Sequence, residues 1–253
     1  MKSKIDITMT SVLRPFILLT TLKTILKNVC KGNINRFRLI INVDPIGEDV
    51  DPFEIIKIAK DNFNNVTFNI AKTPSFPKAV KWVWSQVTAP YIFHWEDDID
   101  ILYPIDVNEM IDIHRSNPKI ASLRLLKSET PNKETFRTDR CTWTYNKQGF
   151  YLTKSWREQF SLNPSLIKRE FVSKACDLMV DDINPEKQFR YTKEYMVPLI
   201  KKWNYALYTK PGKHRMIDGR KGQRWKNEMK LQKPNLKAED FLVWVKVKKE
   251  KKK

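Results

Sequence analysis

Apolar and polar positions along the chain switch between a period of two and a period near 3.6, and that switching predicts most of the elements. Residues 5–9 (Ile-Asp-Ile-Thr-Met) alternate as a strand does. A loop over 10–15 follows, and Pro15, well suited to a first helical turn, opens a helix to about residue 29. Residues 38–43 form a continuous apolar run, the pattern of a strand covered on both faces. It ends at Asp44 and a Pro45/Gly47 turn. The same reading predicts helices over 52–62, 79–87 and 107–115, and strands over 66–70, 91–95 and 120–126. Strands alternating with helices predict an α/β fold with a mostly parallel sheet flanked by helices.

Beyond Thr130 the pattern loosens. Residues 131–140 read as a polar loop and the aromatic stretch 142–153 as a hairpin. Residues 166–180 and 192–203 read as helices, the second kinked at Pro198.

Composition narrows the class. The chain has 253 residues, is 41% hydrophobic and contains eight Trp, enough to bury the core of one α/β domain. Cys30, Cys141 and Cys176 are odd in number and lack CxxC spacing, which predicts no disulfide framework and no zinc site, and suits a reducing, cytoplasmic compartment. No apolar run reaches the roughly 20 residues that span a bilayer. Asp6 and Arg14 interrupt the apolar stretch a signal peptide would need. Six glycines form neither a P-loop nor GxGxxG, so ATPase and dinucleotide-dehydrogenase readings fall away.

The charge of +18 is uneven. Residues 201–253 carry 18 Lys and Arg against 5 acids, whereas the first 200 residues carry only +5. A basic C-terminal third predicts attraction to a polyanion, either nucleic acid or an anionic surface. Lys210, Lys213, Arg215, Arg220, Lys221, Arg224 and Lys226 lie in one segment with His214 and Trp225, which marks a working surface more than a solubilising tail.

The candidate chemistry starts at Glu96-Asp97-Asp98, three acids that end the aromatic run Tyr91-Ile92-Phe93-His94-Trp95. Adjacent carboxylates repel one another, and a hard divalent cation relieves that repulsion. In α/β sheets ligands bind at the carboxyl ends of strands. His94 should point away from Trp95, into the core. These acids allow three classes: a metal-dependent transferase, a nuclease or nucleotidyltransferase, and a non-catalytic nucleic-acid-binding protein with a solvated turn here.

The order of parts resembles the GT-A nucleotide-sugar transferases, especially glycosyltransferase family 2. Thr10-Ser11-Val12-Leu13-Arg14-Pro15 stands where that family has its first loop. Ile40-Ile41-Asn42-Val43-Asp44 matches its second strand and acid, and Tyr91–Asp98 its metal strand. Lys193-Glu194-Tyr195 resembles the start of the base helix, and residues 214–220 the late histidine segment. The resemblance covers residues 4–222. It implies a donor half over 1–130, an acceptor half over 131–222, and a basic extension over 223–253.

The resemblance also implies roles. Asp98 and His214 would bind Mn²⁺ or Mg²⁺. Glu96 or Asp97 would hold ribose or a metal-bound water, and Asp44 uracil or ribose. Thr10, Arg14 and Lys72 would touch base or phosphate of a nucleoside-diphosphate sugar, most simply a UDP-sugar. Glu194 would be the base of an inverting transfer, with Asp181, Asp182 and Glu186 as competitors. The placement of positive charge suggests a polyanionic acceptor, DNA with a hydroxymethylated pyrimidine of the kind phages make. Trp143, Tyr145 or Trp225 would then stack on bases. Surface polysaccharide or lipopolysaccharide is the alternative acceptor.

Overall fold

In this computed structural model, which describes residues 4–138, 141–154, 160–228, 231–232 and 245–246, the alternating N-terminal segment becomes a central strand. The chain runs β1 (Ile5–Leu13), α1 (Pro15–Ile25), β2 (Phe37–Gly47), α2 (Pro52–Asn62), β3 (Val66–Ile70), α3 (Phe76–Ser85) and β4 (Tyr91–Glu96). Then come β5 (Asp100–Ile101), α4 (Val107–Ser116), β6 (Ile120–Arg124), β7 (Thr135–Arg137), β8 (Thr142–Asn146) and β9 (Phe150–Thr153). Last come β10 (Ser165–Lys168), α5 (Arg169–Leu178), α6 (Pro185–Gln188), α7 (Val197–Lys201), β11 (Asn204–Leu207), β12 (Ile217–Asp218) and α8 (Arg220–Glu228).

Ten strands form one sheet in the order β3-β2-β1-β4-β10-β6-β11-β9-β8-β7. β1 pairs in parallel with β2 and with β4, and β2 with β3, so these four carboxyl ends share one edge. The path β1–β2–β3 grows to one side of β1, and β4 then starts on the other. That reversal opens a crevice outside the ends of β1 and β4, the usual ligand position in such sheets.

Local chemistry explains the helix starts. Asp51 accepts from Phe53 N at 2.9 Å with Pro52 in the first turn of α2, and Asp106 accepts from Asn108 N at 2.8 Å to start α4. Ile5, Ile7 and Met9 of β1 join one core with α1, α2 and α4. The opposite face packs on α3 and α5 around Trp84, Phe160, Phe171 and Phe189. His94 is fully buried there, with Nδ1 at 3.0 Å from Thr8 Oγ1 and 3.1 Å from Trp84 Nε1, as its phase relative to Trp95 predicts. Burial pushes its pKa down to about 3, so it stays neutral.

The structure corrects several expectations. Residues 166–180 are not one helix, because β10 pairs antiparallel with both β4 and β6 before α5 begins. Two flanking strands override the local helical pattern. Over 192–203 only α7 is helical, and Pro198 lies in its first turn instead of kinking a longer helix. β1 extends four residues beyond the expected strand, drawn on by pairing with β2 through Leu13. There Gly47 (φ 140°) leaves no room for a Cβ against Leu13 O, and Glu48 N reaches that oxygen at 2.7 Å. α8 crosses the expected boundary at 222, while most of the extension over 223–253 lies outside the described residues.

At the opposite edge of the sheet the buried Asp6 carboxylate accepts from Arg38 Nε at 2.9 Å and Nη2 at 2.8 Å. It also accepts from Thr88 N and Ala89 N, both at 2.8 Å. This ties β1, β2 and the turn into β4 together. Asp6→Ala leaves Arg38 and two amides without their acceptor and should cost about 3–5 kcal/mol, read as a lowered urea midpoint.

Candidate functional site

The parallel register sets Thr10 beside both Asn42 and Glu96, and Val12 beside Asp44. Four predicted site residues, Thr10, Arg14, Asp44 and Glu96, thus reach one edge together with Asp97 and Asp98. Within that edge there are two stations.

The first surrounds Arg14, which is only 5% exposed. Its Nε donates to Asp97 Oδ2 at 3.1 Å, its Nη2 pairs with Asp97 Oδ1, and its Nη1 lies 3.2 Å from Asp98 Oδ2. Burial disfavours the guanidinium charge, yet Asp97 and Asp98 outweigh it and raise the pKa. Asp97 also accepts from Ser11 Oγ at 2.7 Å and Val12 N at 3.1 Å. Its oxygens are therefore committed to positioning Arg14, not to a ribose. Thr10 serves the same turn through its carbonyl, which accepts from Asp97 N at 3.2 Å.

α8 lies across this station. A Cβ on Gly222 would overlap the Asp98 carboxylate, so only glycine lets the helix approach this closely. Lys221 Nζ bonds Asp100 Oδ1 at 2.5 Å and Thr20 Oγ1 at 2.8 Å. Arg14 sits 5.1 Å from the Trp225 ring centroid, a cation–π distance, and Trp225 Nε1 donates to Glu48 Oε1 at 2.8 Å. Trp225 is thus a lid over Arg14, not a free stacking platform. The sequence marked Trp225 as an aromatic within a basic run and a candidate for base stacking, and nothing local pointed to Gly222 or Glu48.

A divalent cation fits the charge of this station. Among the described residues, Glu96, Asp97 and Asp98 face Arg14, and Asp97, Asp98 and Asp100 face Lys221, so carboxylates gather around both cations. Asp98 and Glu96 are hard oxygen donors of the kind Mg²⁺ and Mn²⁺ take. Among the described residues, no three His, Cys, Asp or Glu side chains converge as a closed cage.

The second station is a depression of about 420 Å³ shared by Asp44, Lys72, Asn42, Asn69, Ser75 and Asp181. Asp44 accepts from Asn42 Nδ2 and from Ser75 N, each at 3.0 Å, and Asn69 Nδ2 supports Asn42 Oδ1 at 2.7 Å. Burial pushes the Asp44 carboxyl up to about 6, with the bonds from Ser75 and Asn42 opposing. The structure thus brings Asp44 and Lys72 to one depression. Asn69 and Ser75 carried no signal in the sequence.

Two predicted residues are not brought in. β5 and β12 pair antiparallel, Asp100 opposite Asp218, and Leu102 N reaches Met216 O at 2.9 Å. This ladder puts Asp98 and His214 at opposite ends, and His214 Nδ1 instead meets Glu129 Oε1 at 3.2 Å. The residue that meets Asp98 after β12 is Gly222. Glu194 sits exposed on a turn before α7 and does not open a helix. Of its competitors, Glu186 ties the strand entry by accepting from Leu162 N at 2.9 Å, and Asp181 pairs with Lys81 at 3.1 Å. Trp143, a predicted stacking residue, is buried in the core, and Tyr145 packs 5.2 Å from Tyr151.

No protein-family model matches the sequence, and no curated protein is detectably similar to it. Solved structures are similar in fold. The mannosyltransferase PcManGT from Pyrobaculum calidifontis, in complex with GDP-Man and Mn²⁺, superposes with a TM-score of 0.51 at 9% identity, over 83% of this chain and 55% of that one. S. aureus TarS 1–349 in complex with UDP gives 0.54 at 11% identity, over 83% and 59%. Its complex with UDP-GlcNAc gives 0.53 at 10%, over 84% and 60%. The chain spans a little over half the length of these proteins. It has the GT-A, Rossmann-like fold of nucleotide-sugar glycosyltransferases.

Proposed function

We propose that the chain is an inverting glycosyltransferase that uses a nucleoside-diphosphate sugar, most simply a UDP-sugar, and modifies a polyanionic acceptor, a hydroxymethylated pyrimidine in DNA. One observation carries the donor reading. A nucleoside-sized depression with a buried acid and a station where Asp97 and Asp98 hold a buried Arg14 lie side by side at the switch point of the sheet. The proteins of similar fold named above hold GDP-Man, UDP or UDP-GlcNAc, which supports this choice of donor.

In this reading Asp44 accepts a hydrogen bond from the base or ribose, and exposed Lys72 attracts the phosphates. Asp98, with Glu96, would hold Mn²⁺ or Mg²⁺. Such an ion, when bound, neutralises charge that develops on the leaving diphosphate. Arg14, fixed by Asp97, adds positive charge that costs no reorganisation during the reaction. An inverting transfer needs a base within reach of the acceptor hydroxyl. Glu194, the base the resemblance implies, lies outside both stations, and Asp181, beside the Asp44 depression, is the candidate carboxylate nearest the donor.

Donor turnover should be visible as release of nucleoside diphosphate from a panel of nucleotide sugars with Mn²⁺. Asp98→Asn should lower it by about 10²–10³-fold, and undiminished turnover would sink the enzymatic reading. Of Glu194→Gln and Asp181→Asn, the true base is the one whose loss costs about 10²–10⁴-fold in kcat with donor binding intact. Mass spectrometry of hydroxymethylated DNA after incubation tests the acceptor.

The Asp44 carboxyl is ionised above about pH 6 and protonated below it. Only the ionised form accepts from a base N–H or a ribose hydroxyl with both oxygens. Donor affinity should therefore fall as the pH drops below 6, and Asp44→Asn should flatten that profile in a calorimetric titration.

Arg14, Asp97 and Asp98 are each at most 5% exposed beneath α8, so donor entry requires α8 to lift. Adding UDP with Mn²⁺ should speed tryptic cleavage at Arg220, Lys221 and Arg224. Gly222→Ala, which cannot seat, should be cleaved faster even without ligand. Unchanged wild-type cleavage at saturating UDP would show that the helix stays in place.

A further inference from the structure

The basic segment singled out in the sequence divides into two parts in space. Residues from Arg220 onward build α8 over the acids, but Lys210, Lys213, His214 and Arg215 go elsewhere. They line two adjoining depressions, of about 450 and 680 Å³, that share Tyr103 and His214. The tyrosine is 51% exposed, a large ring left in solvent between two concave surfaces. Lys127 joins the second depression, so four Lys and Arg side chains and the His214 imidazole line the two, with Glu109 and Glu129 the acids among the described lining residues.

The floor of the first depression is polar and fixed. Tyr208 donates its hydroxyl to Glu109 Oε2, and burial raises its pKa, which keeps that proton in place. Glu109 thereby presents an acceptor within a basic rim. The backbone beneath is held too: Thr130 Oγ1 bonds the carbonyls of Lys210 and Lys213, both at 3.1 Å, so the two lysines leave an anchored loop. β12 joins this loop to the donor station, since it runs from the residue after Met216, which lines the first depression, to the residue before Gly219 and α8.

An exposed aromatic ring inside a basic groove is what a nucleic-acid chain needs. Lysine and arginine neutralise phosphates, and the ring stacks on a base whatever its sequence. Resting on the DNA-acceptor reading above, the geometry points to a subsite for the nucleotides flanking the modified one. Tyr103 stacks on a flanking base, Lys210, Lys213 and Arg215 hold its phosphates, and Glu109 accepts from an exocyclic amino group. Of the aromatic candidates from sequence, Trp143 and Trp225 are committed to packing and half-buried Tyr145 packs on Tyr151, whereas Tyr103 stands in solvent among basic side chains.

The test is binding of a fluorescent single-stranded oligonucleotide containing hydroxymethylcytosine, measured at several salt concentrations without donor. Wild type should bind with steep salt dependence. Tyr103→Ala should weaken binding about tenfold at an unchanged slope, and Tyr103→Phe should bind as wild type does. The double variant Lys210→Ala/Lys213→Ala should lower the slope by roughly 1.4. These side chains are exposed, so unchanged melting curves would confirm that the variants fold. Wild-type affinity in Tyr103→Ala overturns the assignment. So does binding of poly(glycerol phosphate) in place of DNA, or no binding of either polymer. Titration of UDP into the same preparation separates this failure from failure of the donor site, because the two stations share no residue.

Discussion

A guanidinium that is only 5% exposed cannot stand in a protein interior without partners, and Arg14 is such a group. Its charge is tolerable only because Asp97 and Asp98 reach it from the neighbouring strand end. Those carboxylates in turn would repel one another without it. Much of the site follows from this mutual dependence. β1 must continue to Leu13 so that Ser11, Val12 and Arg14 can all face Asp97. The turn after β4 must hold its acids just beyond Glu96, and α8 then seals the cluster from water with Gly222 and Trp225.

The same arrangement explains how the molecule can be closed and still suited to a charged ligand. Asp97 and Asp98 face Arg14, and Asp97, Asp98 and Asp100 face Lys221, so acids and cations are interleaved in one cluster. Lys221 on α8 joins that cluster in the closed form by pairing with Asp100. The acids that follow β4 and part of the basic last third of the sequence therefore meet in one site. Lys210, Lys213 and Arg215, which precede β12, line a separate surface around Tyr103. One segment of chain connects the two, which couples the surface proposed for the acceptor to the helix that covers the donor station.

How legible the site was depended on the distance over which each contact acts. Asp44 could be read because a strand of apolar residues ends at it, and its neighbour in space, Lys72, lies just after the next strand. Glu96, Asp97 and Asp98 could be read because they break an aromatic run. His214 misled, since a histidine in a late basic loop has no local mark of direction, and the β5–β12 ladder turns it towards Glu129. Helical periodicity over 166–180 misled for a related reason: its first three residues belong to β10, which is held between β4 and β6.

The sequence by itself determined the alternation of strands and helices through residue 124, the edge at which charged residues collect, and the basic character of the last third. These are consequences of which side chains must be buried, a property each segment carries alone. Only the tertiary structure decided that Asp97 serves Arg14, that Gly222 meets Asp98, and that Tyr103 stands among lysines. Each of these joins segments far apart in the chain. Periodicity sets which face of a segment is buried, but pairing and helix packing choose what that face meets.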